Sequence, residues 1–177
     1  MNWMNFCLEN RIGARFLDVT ASTLPDYLGK IGKKWLENPF PMLLTGEAGR
    51  GKTYFTMCLM EELVKHSKLL IFRKSKRLDD ELVKEFDKYK DSSHLLRFFA
   101  ECDFLFIDDF GMDRPSERAE RDLYEIIDYR WENLLPTVIS TNLSMDQIGS
   151  FYGSRILSRL KSYEWILFNG KDLRGIK

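Results

Sequence analysis

No window of the chain reaches the about 18 consecutive apolar residues that a membrane-crossing helix requires. Residues 1–10 carry no basic stretch followed by a long apolar run, so no secretory leader is read there. Net charge is missing too, because 27 Lys and Arg cancel 27 Asp and Glu. That balance excludes a protein that coats nucleic acid by bulk charge and leaves only local basic patches for such a role. The three cysteines, Cys7, Cys58 and Cys102, are odd in number and far apart. Without a C-x-x-C pair they offer neither a zinc site nor a redox couple. They are expected to be buried free thiols, and a reducing cytoplasm without a membrane partner is the expected setting. What is present is ordinary: 44% hydrophobic and 31% charged residues in a chain of 177, enough for one packed domain and too little for two.

Short apolar runs rich in Leu, Ile and Phe recur at residues 42–44, 69–72, 104–107, 138–140 and 165–168, each bounded by polar or turn residues. They read as strands buried on both faces, as in a parallel sheet. Between them lie segments of helical period. Residues 53–66 repeat Phe55, Leu59 and Leu63; residues 78–90 repeat Leu82, Phe86 and Tyr89; residues 117–134 carry Leu123, Ile126, Ile127, Arg130 and Trp131 after the start signal Pro115-Ser116. Alternating strand and helix predicts right-handed crossovers and a three-layer α/β fold with a mostly parallel sheet.

The segment Gly46-Glu47-Ala48-Gly49-Arg50-Gly51-Lys52-Thr53 is a complete G-x-x-x-x-G-K-[ST] placed after a strand and at the start of a helix. Its glycines let successive backbone N–H groups converge on phosphates, and the helix N-terminus adds its dipole. Lys52 is expected to reach the β and γ phosphates of ATP, and the Thr53 hydroxyl to ligate Mg2+. A Gly-rich turn serving packing alone requires neither Lys nor Thr.

Phe104-Leu105-Phe106-Ile107 runs into Asp108-Asp109, the form of a Walker B element. Ligands of open α/β sheets sit beyond the carboxyl ends of the strands, so Asp108 is expected at the magnesium and Asp109 at the attacking water. Without the phosphate loop, a strand that merely ends in a charged turn would explain these two residues equally well. The strand at 138–140 ends in Thr141-Asn142, which brings an amide to the same edge as a water-orienting group or as a turn residue. Arg155 and Arg159, four apart, share a helical face. They suit either a phosphate from a neighbouring subunit or a solvated, salt-bridged surface. Arg73, Lys74, Lys76 and Arg77 pack four cations into five residues after the second strand. Phosphate neutralisation of DNA and a solvated turn explain them equally.

In this order of motifs the chain resembles the AAA+ ATPase domain of DnaC-type replicative helicase loaders and the related IstB transposition helper ATPases. The marks are Ile12-Gly13-Ala14-Arg15-Phe16, the phosphate loop, Ile107-Asp108-Asp109-Phe110-Gly111, Ile139-Ser140-Thr141-Asn142-Leu143, Arg155 with Arg159, and Lys171-Asp172-Leu173-Arg174. The resemblance implies a five-stranded sheet without a helical lid domain, an adenine seat near residues 15–17 and a sensor role for Asn142. It also implies a trans-acting finger at Arg159 with Arg155 beside it, and a second sensor at Arg174. The nucleotide-binding set is then Arg15, Phe16, the loop residues Gly46, Glu47, Ala48, Gly49, Arg50, Gly51, Lys52 and Thr53, with Tyr54 and Arg174.

The expected division is a short N-terminal extension, 1–11, and an AAA+ ATPase domain, 12–177. Loaders carry a helicase-binding domain where this sequence has residues 1–11, whose Trp3, Met4, Phe6 and Leu8 suit either a docking helix or a segment packed on its own core. The leading expectation is an ATP-dependent self-assembling ATPase that acts on single-stranded DNA, with a replicative helicase or a transposase as partner. A small phosphotransferase shares the phosphate loop, but the Asp108-Asp109 pair with Asn142 suits water better as the nucleophile. Asp109 in place of the longer glutamate common in AAA+ proteins also leaves room for a binding switch with little turnover.

Overall fold

The computed structural model describes residues 2–66 and 69–170. Five strands form one sheet: β1 (Met42–Thr45), β2 (Leu70–Lys74), β3 (Phe104–Phe110), β4 (Thr137–Thr141) and β5 (Glu164–Leu167). Their order is β2-β3-β4-β1-β5, and every neighbouring pair is parallel. The helices are α1 (Trp3–Asn10), α2 (Asp26–Glu37), α3 (Lys52–Val64), α4 (Ser75–Tyr89), α5 (Ser93–Glu101), α6 (Glu117–Glu132) and α7 (Met145–Leu160), with short 3-10 turns at Ala14–Phe16 and Ala21–Thr23.

The period of two along a strand divides the molecule into two cores. Met42, Leu44, Leu70, Phe72, Phe104, Phe106 and Val138 point to one face, where Leu28 and Trp35 of α2 and Phe55, Leu59 and Leu63 of α3 cover them. Leu43, Ile71, Leu105, Ile107 and Ile139 point to the other face, under Leu78 and Leu82 of α4, Leu123, Ile126 and Ile127 of α6, and Ile156 and Leu160 of α7. Both faces of each inner strand are therefore buried, which is why their middles read as short hydrophobic runs, with polar residues such as Thr45, Asp108 and Ser140 towards their carboxyl ends.

The helix ends follow local chemistry. Ser116 accepts a hydrogen bond from the Ala119 N–H at 3.2 Å and caps α6. Ser144 and Gln147 form a reciprocal capping box at the start of α7. α7 is kinked at Gly153, whose backbone lies at φ 74° and ψ 171°. α2 escapes the sequence reading because Gly29 and Gly32 weaken its helical propensity, although Leu28 and Trp35 keep to one face and the exposed Lys30, Lys33 and Lys34 to the other. Gly32 is nonetheless suited to its place: a Cβ there would stand 3.4 Å from side-chain atoms of both Leu59 and Phe55.

α1 is packed on its own chain, with Phe6 and Cys7 buried and the Trp3 indole N–H donating to Phe16 O at 3.0 Å. All three cysteines are free and buried, as expected. Burial pushes the Cys7 thiol up to about 11 and the Cys58 thiol up to about 12, so both stay protonated and unreactive at neutral pH.

The segment from Arg73 to Arg77 is not a turn. β2 runs through Lys74 and α4 begins at Ser75, so the solvated-turn reading is corrected. Arg73 Nε donates to Glu81 at 2.7 Å and its Nη1 to Asn10 Oδ1 at 3.1 Å. Arg77 Nε donates to Glu81 at 2.8 Å and its Nη1 to Asn10 O at 2.8 Å. These two guanidiniums tie α4 to the end of α1. Lys74 and Lys76 stay on the outside, with side chains 62% and 69% exposed.

Candidate nucleotide-binding site

β1 is followed at once by the phosphate loop, whose reversal demands backbone that only glycine adopts without strain. Gly46 lies at φ 128°, and a Cβ there would fall 2.2 Å from Phe168 O. Gly51, at φ 94°, caps α3 and turns its first N–H groups into the loop. Lys52, the first residue of α3, is buried. Its ammonium donates to Glu47 O at 2.9 Å, to Asn142 Oδ1 at 2.6 Å and to Gly46 O. The lysine thus gathers oxygen ligands at the end of β4 as well as in its own loop. Arg50 closes the outer side, bonded to Glu47 and donating to Gly170 O at 2.6 Å.

Thr53 Oγ1 donates to Asp108 at 3.0 and 3.2 Å to its two carboxylate oxygens. Asp108 is 1% exposed, and that burial raises its pKa, against the hydrogen bonds from Ser140 and Thr53 that favour the charged form. Ser140 Oγ donates to Asp108 Oδ1 and accepts the Asp109 N–H at 3.2 Å. Asp109 lies in the left-handed region at φ 55°, where the β3–β4 register shifts between Ile107 and Phe110. The bulge gives the adjacent carboxylates separate surroundings. Asp108 faces Thr53 and Ser140, whereas Asp109 Oδ2 accepts from Lys74 Nζ at 2.7 Å.

The carboxyl ends of β1, β3 and β4 therefore bring Lys52, Thr53, Asp108, Asp109 and Asn142 to one place, the edge where α/β sheets hold ligands. Tyr54 ties the start of α3 to the second 3-10 turn: its hydroxyl lies 2.8 Å from Thr23 Oγ1 and accepts the Thr20 N–H at 3.2 Å. Arg15 is stacked 4.5 Å over the Phe16 ring. Arg174 lies outside the described residues.

A profile of the IstB-like ATP-binding proteins matches residues 29–160, which hold the loop, both aspartates, Asn142 and both downstream arginines. The chain belongs to this family. Over 139 residues it is 24% identical to the replicative helicase loader DnaC of Escherichia coli (strain K12), covering 75% of this chain and 56% of that protein. It is 32% identical over 98 residues to an ATP-binding protein of insertion sequence IS1162 from Pseudomonas fluorescens, covering 54% of this chain and 41% of the relative. The chain thus spans about half the length of these curated relatives. A crystal structure of the DnaC helicase loader superposes with a TM-score of 0.77 at 20% identity, covering 89% of this chain and 100% of that one. The fold of this IstB-like protein is that of the AAA+ P-loop domains, as its motifs imply.

The two IstB-family arginines lie apart from the loop, on the C-terminal part of α7. Arg155 is exposed and lines a cleft of about 320 Å³ between α6 and α7, with Glu120, Arg121 and Tyr124. Among the described residues, every hydrogen bond of the Arg159 guanidinium goes to α6, beginning with Asp128 at 2.6 Å. Ser140 and the Lys74–Asp109 contact went unread in the sequence. A serine inside a fully buried strand was the available signal for the first. The second depends on register, in which Lys74 pairs with Asp108 across β2 and β3.

Proposed function

We propose that this IstB-family protein binds ATP with Mg2+ and hydrolyses it at a site completed by a second copy of itself. The observation that carries the reading is the convergence of Lys52, Thr53, Asp108, Asp109 and Asn142 on one sheet edge. The residues fit the nucleotide and the metal. The loop turns at Gly46, Gly49 and Gly51, all with positive φ, Lys52 is a buried cation surrounded by oxygens, and Thr53 with Asp108 forms a pair of hard oxygen donors. Bound magnesium supplies positive charge to the β and γ phosphates.

Lys52 exchanges its protein oxygens for phosphate oxygens, and the α3 N-terminus holds them by its N–H groups. Asp109 accepts the proton of the attacking water, and Asn142 orients that water. Arg159 of a neighbouring copy stabilises the charge that develops on the transferred group, so the assembly is head-to-tail. The finger role rests on family resemblance and on the placement of Arg159 outside its own site.

The assembly is proposed to act on single-stranded DNA or a DNA-bound partner, a replicative helicase or a transposase, in the cytoplasm. DnaC and the IS1162 protein motivate that reading, and Lys74 and Lys76 are the cations that remain exposed for phosphates. Among the described residues no helix is long and apolar enough to cross a membrane.

Calorimetry with Mg-ATP tests the nucleotide assignment. Wild type is expected to bind, and Lys52→Ala to lose at least about tenfold in affinity, the scale of one lost charge-assisted contact. Equal affinities would remove the phosphate role from this loop.

A further inference from the structure

Three side chains of α6, Tyr124, Asp128 and Trp131, recur at the spacing that stacks residues on one helical face, and that face meets α7. All three close on Arg159. Asp128 Oδ1 accepts from Nε at 2.6 Å, and Tyr124 Oη accepts from Nη2 at 3.3 Å. The guanidinium carbon stands 4.9 Å from the Trp131 ring centre and 5.6 Å from that of Tyr124. Trp131 is itself fixed, its indole N–H donating to Ser162 Oγ at 2.6 Å, and that hydroxyl donates back to Arg159 O at 2.7 Å. Arg159 Nη1 has no hydrogen-bond partner among the described residues, and the side chain is 25% exposed.

A clamp that existed to neutralise Arg159 would take the guanidinium by two parallel bonds, the strongest carboxylate geometry. Asp128 instead takes only the inner nitrogen, Nε, and Tyr124 takes Nη2, so Nη1 is left without an acceptor among the described residues. Two aromatic rings and one carboxylate thus fix the direction of a long side chain that otherwise samples many rotamers. We infer that Asp128, with Tyr124 and Trp131, is the positioning set that aims Arg159 Nη1 at the phosphate of a neighbouring copy. This rests on the trans-finger reading above. The ordering cost of the arginine is met when the chain folds, so it does not recur at each turnover.

The test compares Asp128→Asn, Asp128→Glu and Tyr124→Phe with wild type in steady-state ATP hydrolysis, with thermal melts to check folding. Asp128→Asn is expected to lower kcat about tenfold with KM for ATP changed less than about twofold, because the finger acts on the transition state and not on nucleotide binding. Asp128→Glu is expected to restore part of the loss. Tyr124→Phe removes a single contact and should lower kcat about twofold to threefold. The loss should also be repaired in trans: Asp128→Asn mixed with Lys52→Ala regains activity, since the second chain supplies an intact clamp and finger.

Unchanged or faster turnover in Asp128→Asn would overturn the inference, since the clamp would then only pack or sequester Arg159. The same holds for a loss that the mixture does not repair. If Arg159→Ala mixed with Lys52→Ala regains activity while Asp128→Asn behaves as wild type, the finger stands and the clamp alone fails. If that Arg159 mixture stays inactive beside an active wild type, or wild type shows no turnover, the trans-finger reading fails and takes the clamp with it.

Discussion

Asp109→Asn is expected to bind Mg-ATP as wild type does and to hydrolyse it about 10² to 10³ times more slowly. A positioned general base contributes about 10²- to 10⁴-fold, and the amide is uncharged and far less basic. The substitution isolates this effect because asparagine tolerates the left-handed backbone at φ 55° as readily as aspartate does. The bulge, the Ser140 contact to the Asp109 N–H and the Thr53–Asp108 pair therefore remain in place. Calorimetry for binding and phosphate release for turnover separate the two halves of the expectation. A rate near that of wild type would exclude Asp109 as the base. Transfer of phosphate to a nucleotide instead of water, in the same assay, would favour the phosphotransferase reading.

Arg130→Leu is expected to destabilise the fold by about 3–5 kcal/mol, the cost of leaving several buried carbonyl acceptors without a donor at about 1–3 kcal/mol each. Arg130 is 0% exposed, in the middle of the α5–α6 contact. Its guanidinium donates to Phe99 O at 3.2 Å, Ala100 O at 3.0 Å, Cys102 O at 2.8 Å and Pro136 O at 2.8 Å, and its Nε to Thr137 Oγ1 at 2.8 Å. These carbonyls belong to the end of α5 and the approaches to β3 and β4, where the helix dipole favours a cation. Leucine would leave them without donors inside the core. Burial lowers the pKa of Arg130, yet a guanidinium starts so high that it keeps its charge at neutral pH. Urea unfolding should show the loss at an unchanged m-value. A change below about 1 kcal/mol would mean that the carbonyls find water or other donors.

Strands with both faces buried were legible because nothing polar interrupts residues such as Leu43, Leu105 and Ile139. The phosphate loop was legible for another reason: Lys and Thr at fixed distances from its glycines have no purpose in a bare turn. α2 was hidden by two glycines, although Leu28 and Trp35 anchor it fully. Arg73 and Arg77 looked like one outward patch because neighbours in sequence show charge but not direction. Asn10, which receives them, lies 63 residues before Arg73. Lys74 lies beside them in sequence, yet strand register delivers it to Asp109. The separation of Asp108 from Asp109 depends on a bulge and one left-handed residue, and an aspartate in left-handed backbone leaves no mark in the sequence. The clamp on Arg159 joins two helices, so its members are evident only once α6 and α7 are packed.

The central claim is that ATP is hydrolysed between two copies, with the phosphate loop of one and Arg159 of the next. Mixing Lys52→Ala with Arg159→Ala, at concentrations that support assembly and with subunit exchange verified, measures it directly. Each variant alone is expected to be nearly inactive, since loss of a finger costs on the order of 10³-fold. The mixture should regain a clear fraction of wild-type turnover, because some interfaces then pair an intact Lys52 with an intact Arg159. A mixture as inactive as its components, beside an active wild type, would contradict the shared site and return Arg159 to a role within its own chain.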